Sequence, residues 1–135
     1  VMHTAMTTPG PVYFRVTRHA VPELFGPDHG FVWGKGERLR TGADVTLFGT
    51  GIMTHFCLDA ADLLVREGID AEVIHLASVK PIDRALIIQS VQKTGCAVTV
   101  ENASIYGGLG DAVSEVLAEE QPAPVLRIGV RDRFV

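Results

Sequence analysis

The residues best suited to chemistry lie between Val98 and Glu115. A short apolar run, Val98-Thr99-Val100, reads as a buried strand that ends on a carboxylate, Glu101. Gly107-Gly108-Leu109-Gly110 follows, and then an amphipathic helix opened by Asp111. Strand, glycine loop and helix in that order place a site at the carboxyl end of a parallel sheet. The free N–H groups and positive dipole end of such a helix suit an anion. Glu101 is placed to act as a general base. Each feature also has a structural reading. The glycines suit close packing of loop against strand, Asp111 would repel a phosphate, and Glu101 can organise the loop by accepting backbone N–H bonds.

Gly49-Thr50-Gly51 is a second strand-to-helix loop, but Thr54 stands where a dinucleotide fingerprint needs its third glycine. A tight turn with a Thr or Gly cap accounts for it better than a pyrophosphate cradle. Arg15 and Arg18 flank the end of an early strand beside a glycine-rich stretch. That is a position for a carboxylate or phosphate ligand, or for surface arginines. The five histidines (His3, His19, His29, His55, His75) show no pair at i, i+4 and no acidic partner at metal-ligand spacing. No GxSxG elbow is present. Neither a metal site nor a nucleophilic triad is expected. Arg38 and Arg40, like Arg127, Arg131 and Arg133, read as a solvated face.

These residues need a frame. Val12 to Thr17 is rich in β-branched and aromatic residues and reads as a strand, though a lone strand needs a sheet to join. Pro9, Pro11, Pro22 and Pro27, with glycines at 10, 26, 30, 34 and 36, surround it with linker chemistry. From Gly42 the pattern becomes regular: strand Val45–Phe48, a helix with Met53, Phe56, Cys57, Ala60, Ala61 and Leu64, and strand Ala71–Leu76. A helix opened by Pro81 and Asp83 follows, then strand Ala97–Val100, a helix capped by Asp111, and strand Val125–Val130. Glu37–Arg40 adds an edge strand whose charges protect it. The expected fold is an α/β three-layer sandwich around a four- to five-stranded, mostly parallel sheet.

Composition narrows the function classes. The chain has 135 residues, 47% of them hydrophobic, which is one domain with a real core. A net charge of −4 disfavours nucleic acid and anionic membrane as partners. No apolar run approaches the roughly 18 residues of a membrane span, and the start has no signal-like pattern. Cys57 in a helical apolar pattern and Cys96 at a strand entrance read as small buried hydrophobes in a reducing compartment, so cytoplasm is expected.

A resemblance adds to this. Gly10-Pro11-Val12-Tyr13-Phe14-Arg15, Thr17-Arg18-His19, Asp44 through Gly51, Val79-Lys80-Pro81-Ile82-Asp83, Val98-Thr99-Val100-Glu101 with Gly107 to Gly110, and Arg127-Ile128-Gly129-Val130 resemble successive landmarks of the transketolase family. They follow in order from about Gly10 to the end, and resemble the C-terminal section of transketolases, including those split into two polypeptides. 1-Deoxy-D-xylulose-5-phosphate synthases and 2-oxoacid dehydrogenase β subunits share the layout.

The resemblance implies that residues 1–18 are the tail of a pyrimidine-binding domain, 19–36 a linker and 37–135 the transketolase C-terminal domain. It implies thiamine diphosphate and Mg²⁺ in the parent enzyme, none of it bound by this part, since the activating glutamate and the Gly-Asp-Gly motif are not in this sequence. The parent would transfer a two-carbon ketol unit between sugar phosphates, as a homodimer or with complementary transketolase domains or a complementary subunit. This portion would be inactive alone and serve scaffold and assembly. Arg18 falls where transketolases keep a substrate-phosphate arginine, with altered flanks in Thr17 and His19. The chain departs from many relatives in following Glu101 with Asn102-Ala103 rather than a histidine. It also stops at Val135, where relatives usually continue with a helical segment, and is expected to be a fragment at both ends. The alternatives are the equivalent domain of a 1-deoxy-D-xylulose-5-phosphate synthase or 2-oxoacid dehydrogenase β subunit, or a free-standing nucleotide- or anion-binding module.

Overall fold

The computed structural model describes residues 1–18 and 20–134. Its centre is one five-stranded sheet built from β1 (Glu37–Arg40), β2 (Val45–Gly49), β3 (Ala71–His75), β4 (Ala97–Ser104) and β5 (Val125–Val130). The spatial order is β1-β3-β2-β4-β5. β1 runs antiparallel to β3 and the other pairings are parallel. This is the expected α/β architecture, including the charged edge strand.

Side chains alternate across the strands, so adjacent residues feed different layers. Leu47, Ala71 and Val73 pack with Cys57 and Ala61 of α2 (Met53–Arg66) on one face. Phe48 and Ile74 pack on the other face with Ile87 and Val91 of α3 (Arg84–Thr94) and with Leu109, Val113, Val116 and Leu117 of α4 (Leu109–Glu120). Each fully buried aliphatic or aromatic side chain contributes about 1.5–3 kcal/mol of transfer free energy. The two half-cores therefore hold the sheet between its helices.

The helix ends follow local chemistry. Asp83 caps α3 by accepting from the Leu86 N–H at 3.1 Å, and its other oxygen accepts from the Gly36 N–H at 3.1 Å. Gly95 ends α3 in the left-handed region, at φ 77°. One short helix, α1 (Met2–Thr7), was not anticipated; it is anchored where Trp33 Nε1 donates to Thr8 Oγ1 at 2.9 Å.

Two expectations are corrected. Val12 to Thr17 forms no strand, pairing with none of the five described, and Tyr13 is 87% exposed. β4 does not stop at Val100 but continues to Ser104, with its register against β5 shifting between Val100 and Ser104. Glu101 therefore lies within the strand rather than at its end.

Candidate functional site

The chain order reverses direction across the sheet after β2: β3 lies on one side of it and β4 on the other. The crevice outside the carboxyl ends of β2 and β4 is thus the topological switch point, where open α/β sheets take ligands. Both glycine loops open there.

Glu101 decides what the second loop does. Its side chain is buried, and its two oxygens accept from the N–H groups of Leu109 (2.9 Å) and Gly110 (2.8 Å). Gly108, the N-cap residue, provides no side-chain cap, so the carboxylate from β4 closes the helix in its place. A negative charge at a helix N-terminus is favourable by dipole and by hydrogen bonding alike. The anion position of α4 is filled by the protein itself, and of the two readings of Glu101 the loop-organising one holds.

The glycines make this close approach possible. A side chain at Gly108 would run into the Glu101 carboxylate. One at Gly110 would come within 2.8 Å of Arg127 Cδ. Asp111 sits in the first turn rather than capping the helix: one oxygen accepts from the Gly107 N–H at 2.6 Å, and the other is ion-paired with Arg127 of β5. Arg127 also donates to the Ile105 carbonyl at 3.4 Å, so it belongs to the loop and not to a solvated face.

The first loop is closed by packing. A Cβ at Gly49 would meet Thr54 Cα at 2.7 Å and Cys57 Sγ at 3.0 Å, and Gly51 has a φ of 54°. This is the tight turn. Thr54 is buried in it and shares a 2.7 Å hydrogen bond with His75 Nδ1. Burial pushes the His75 pKa below its ordinary value of 6.5, and nearby His29 lowers it further. Cys57 is buried, and desolvation raises its thiol pKa to about 12, so it is no nucleophile.

The predicted site residues separate. Arg18 is exposed on the N-terminal segment. Arg15 reaches the switch point, where its Nη2 donates to the Asn102 carbonyl at 3.0 Å. His19 lies outside the described residues. Asp59 lies 3.8 Å from His55 Nε2, an acidic partner one helical turn away that the sequence reading passes over. Another feature it misses is Glu72, fully buried on β3. Glu72 pairs with Arg38 of β1 and, at 2.6 Å, with Lys93 Nζ of α3; the latter is an ion pair outside hydrogen-bond geometry. Ser90 Oγ donates to Glu72 at 3.3 Å. A glutamate inside the apolar run of Ala71 to Leu76 was the available signal. Arg38 and Arg40 are likewise paired, the latter with Asp62 at 2.6 Å.

Among the described residues, no three His, Cys, Asp or Glu side chains converge on a possible metal position. The α4 N-terminus, its Leu109 and Gly110 N–H groups taken by Glu101, offers no free anion position to a diphosphate. No helix is long and apolar enough to cross a membrane among them.

The family model described as "Transketolase, C-terminal domain" matches residues 34–135. The chain belongs to the transketolase C-terminal domain family. It is 46% identical over 125 residues to a 6-deoxy-6-sulfo-D-fructose transketolase subunit of Clostridium sp. (strain MSTE9), spanning 93% of this chain and 39% of that protein. It is 41% identical over 128 residues to an apulose-4-phosphate transketolase subunit of Phocaeicola vulgatus, spanning 94% and 41%. A 1-deoxy-D-xylulose-5-phosphate synthase of Syntrophotalea carbinolica is 40% identical over 137 residues, spanning 99% and 22%. A solved structure described as a split gene transketolase, inactive beta4 tetramer, superimposes with a TM-score of 0.95 at 51% identity, covering 98% of this chain and 44% of that one. The chain thus spans about two fifths of the transketolase subunits it matches. Within the transketolase C-terminal fold, the glycine loop that most resembles an active site is an internally closed turn.

Proposed function

We propose that this chain is the C-terminal domain of a thiamine-diphosphate-dependent transketolase of the split kind. In this reading the parent moves a two-carbon ketol unit between sugar phosphates, and this domain supplies scaffold and assembly. The carrying observation is the closure of the α4 N-terminus by Glu101, which leaves the domain's strongest anion position occupied by its own carboxylate. The similarity to two transketolase subunits and to a split-gene structure supports the parent activity. Residues 1–18 are then the end of the pyrimidine-binding domain and 19–36 the linker, with the C-terminal domain from 37. Arg18 binds the substrate phosphate, and cofactor and metal are held by other parts of a homodimer or by a complementary subunit. Free Cys57 and Cys96 are in keeping with a reducing, cytoplasmic setting.

Titration calorimetry with Mg²⁺ present tests the division of labour. The chain alone is expected to release no binding heat with micromolar thiamine diphosphate, whereas the full-length subunit joined to its complement binds. Micromolar binding by the chain alone would overturn the scaffold reading.

A further inference from the structure

Resting on the assignment of Arg18 to the substrate phosphate, we propose that Arg15 is a positioning residue: its guanidinium ties the segment carrying Arg18 to the carboxyl half of β4. Residues 11–17 have no regular secondary structure, and Tyr13, Phe14 and Val16 are exposed, so apolar burial does not fix this segment. Arg15 Nη2 instead crosses 87 residues of sequence to donate to the Asn102 carbonyl at 3.0 Å.

The acceptor is well chosen. Asn102 follows Glu101, whose carboxylate is locked by two α4 N–H groups, so its carbonyl sits on a rigid base. It also lies in the stretch where the β4–β5 register shifts, so the ladder to β5 is interrupted there. Arg18 is three residues further along. Its backbone lies within about 11 Å of the Arg15 backbone, so tying the Arg15 guanidinium to Asn102 restricts the paths open to this short stretch. The Arg18 side chain itself stays exposed to a ligand.

The test uses the full-length subunit assembled with its complementary subunit and thiamine diphosphate. The readout is the ratio of kcat/KM for a phosphorylated ketose donor to kcat/KM for an unphosphorylated ketol donor. Loss of a hydrogen bond to a charged group corresponds to about a 10- to 100-fold change, so Arg18→Ala is expected to lower the ratio by about 50-fold. Arg15→Ala lowers it by about 5-fold, through KM rather than kcat. Arg15→Lys, which keeps a cationic donor, recovers part of that loss. The double variant is no worse than Arg18→Ala, because Arg15 acts through Arg18. Multiplying effects in the double variant, or an equal loss with both donors, would overturn the positioning role. A ratio unchanged in Arg18→Ala removes the phosphate reading and this inference together; a ratio lowered by Arg18→Ala but not by Arg15→Ala removes this inference alone.

Discussion

Two glutamates are buried in the same sheet, and they are neutralised in opposite ways. Glu101 on β4 faces backbone: the N–H groups of Leu109 and Gly110, at 2.9 and 2.8 Å. Glu72 on β3 faces side chains: Arg38, Lys93 and Ser90. The difference lies in what the partners do once the glutamate is gone. Lys93 and Arg38 are 42% and 32% exposed and can turn into water. The α4 N–H groups are fixed by the helix and cannot. A carboxylate held by backbone is therefore harder to replace than one held by flexible cations, although both are equally buried charges.

The largest expected effect follows from that asymmetry. Glu101→Ala leaves two helix N–H groups without an acceptor and opens a void, and should cost about 3–5 kcal/mol in urea unfolding. Glu101→Met should be nearly as costly, because an apolar chain restores volume but no acceptor. An added anion sharpens the point. Sulfate should recover stability in Glu101→Ala beyond its general effect on the Glu72→Ala variant, since the emptied helix N-terminus binds anions. Equal sulfate responses in the two variants would show that the α4 N-terminus does not need a negative charge.

Glu72 should respond more mildly. Glu72→Ala is expected to cost about 2 kcal/mol, and Glu72→Met to lie within about 1 kcal/mol of the unaltered chain, as apolar replacements of buried ion pairs often do. Denaturant midpoints of the two variants measure this. A Glu72→Met loss as large as that of Glu101→Met would break the comparison and make the Arg38 link essential to holding β1 on the sheet.

The sequence disclosed these two residues unequally, for physical reasons. Glu101 was visible because local signals bracket it: an apolar strand before and a glycine loop after. Its task stayed open, since accepting backbone N–H bonds and abstracting a proton require the same side chain. Glu72 was invisible as a partner of Arg38, because that pairing depends on β1 joining β3 antiparallel, with Arg38 opposite Ile74. Register between strands about 35 residues apart is not written locally. The succession of strands and helices along the chain and the Asp83 cap were legible because each is decided by nearby residues. Val12 to Thr17 shows the converse: β propensity without a paired strand leaves a segment of no regular structure, exposed from Tyr13 to Thr17. Arg15 was noticed as an arginine near a glycine loop, while its acceptor, a backbone carbonyl, carries no sequence signature.

His75, three residues beyond Glu72 on β3, adds a third solution: a titratable group kept neutral. Thr54 Oγ1 at 2.7 Å gives it an uncharged partner, Phe25 lies against its ring with centroids 5.5 Å apart, and His29 adds an unfavourable cation when protonated. Glu37 sits 3.6 Å from His29 Nε2 and so serves that ring. Because the folded pKa is below 6.5, the unfolded chain binds the proton more readily. Stability is then fully present above pH 6.5 and is lost as pH falls from there through the folded value. The effect should be the smallest of the three, a shallow decline in Tm on acidification in that window. His75→Gln should flatten the decline while keeping a hydrogen-bonding side chain beside Thr54. If the slope survives in His75→Gln, the acid sensitivity comes from another group, and neutrality at position 75 is not a third way of carrying a buried titratable side chain.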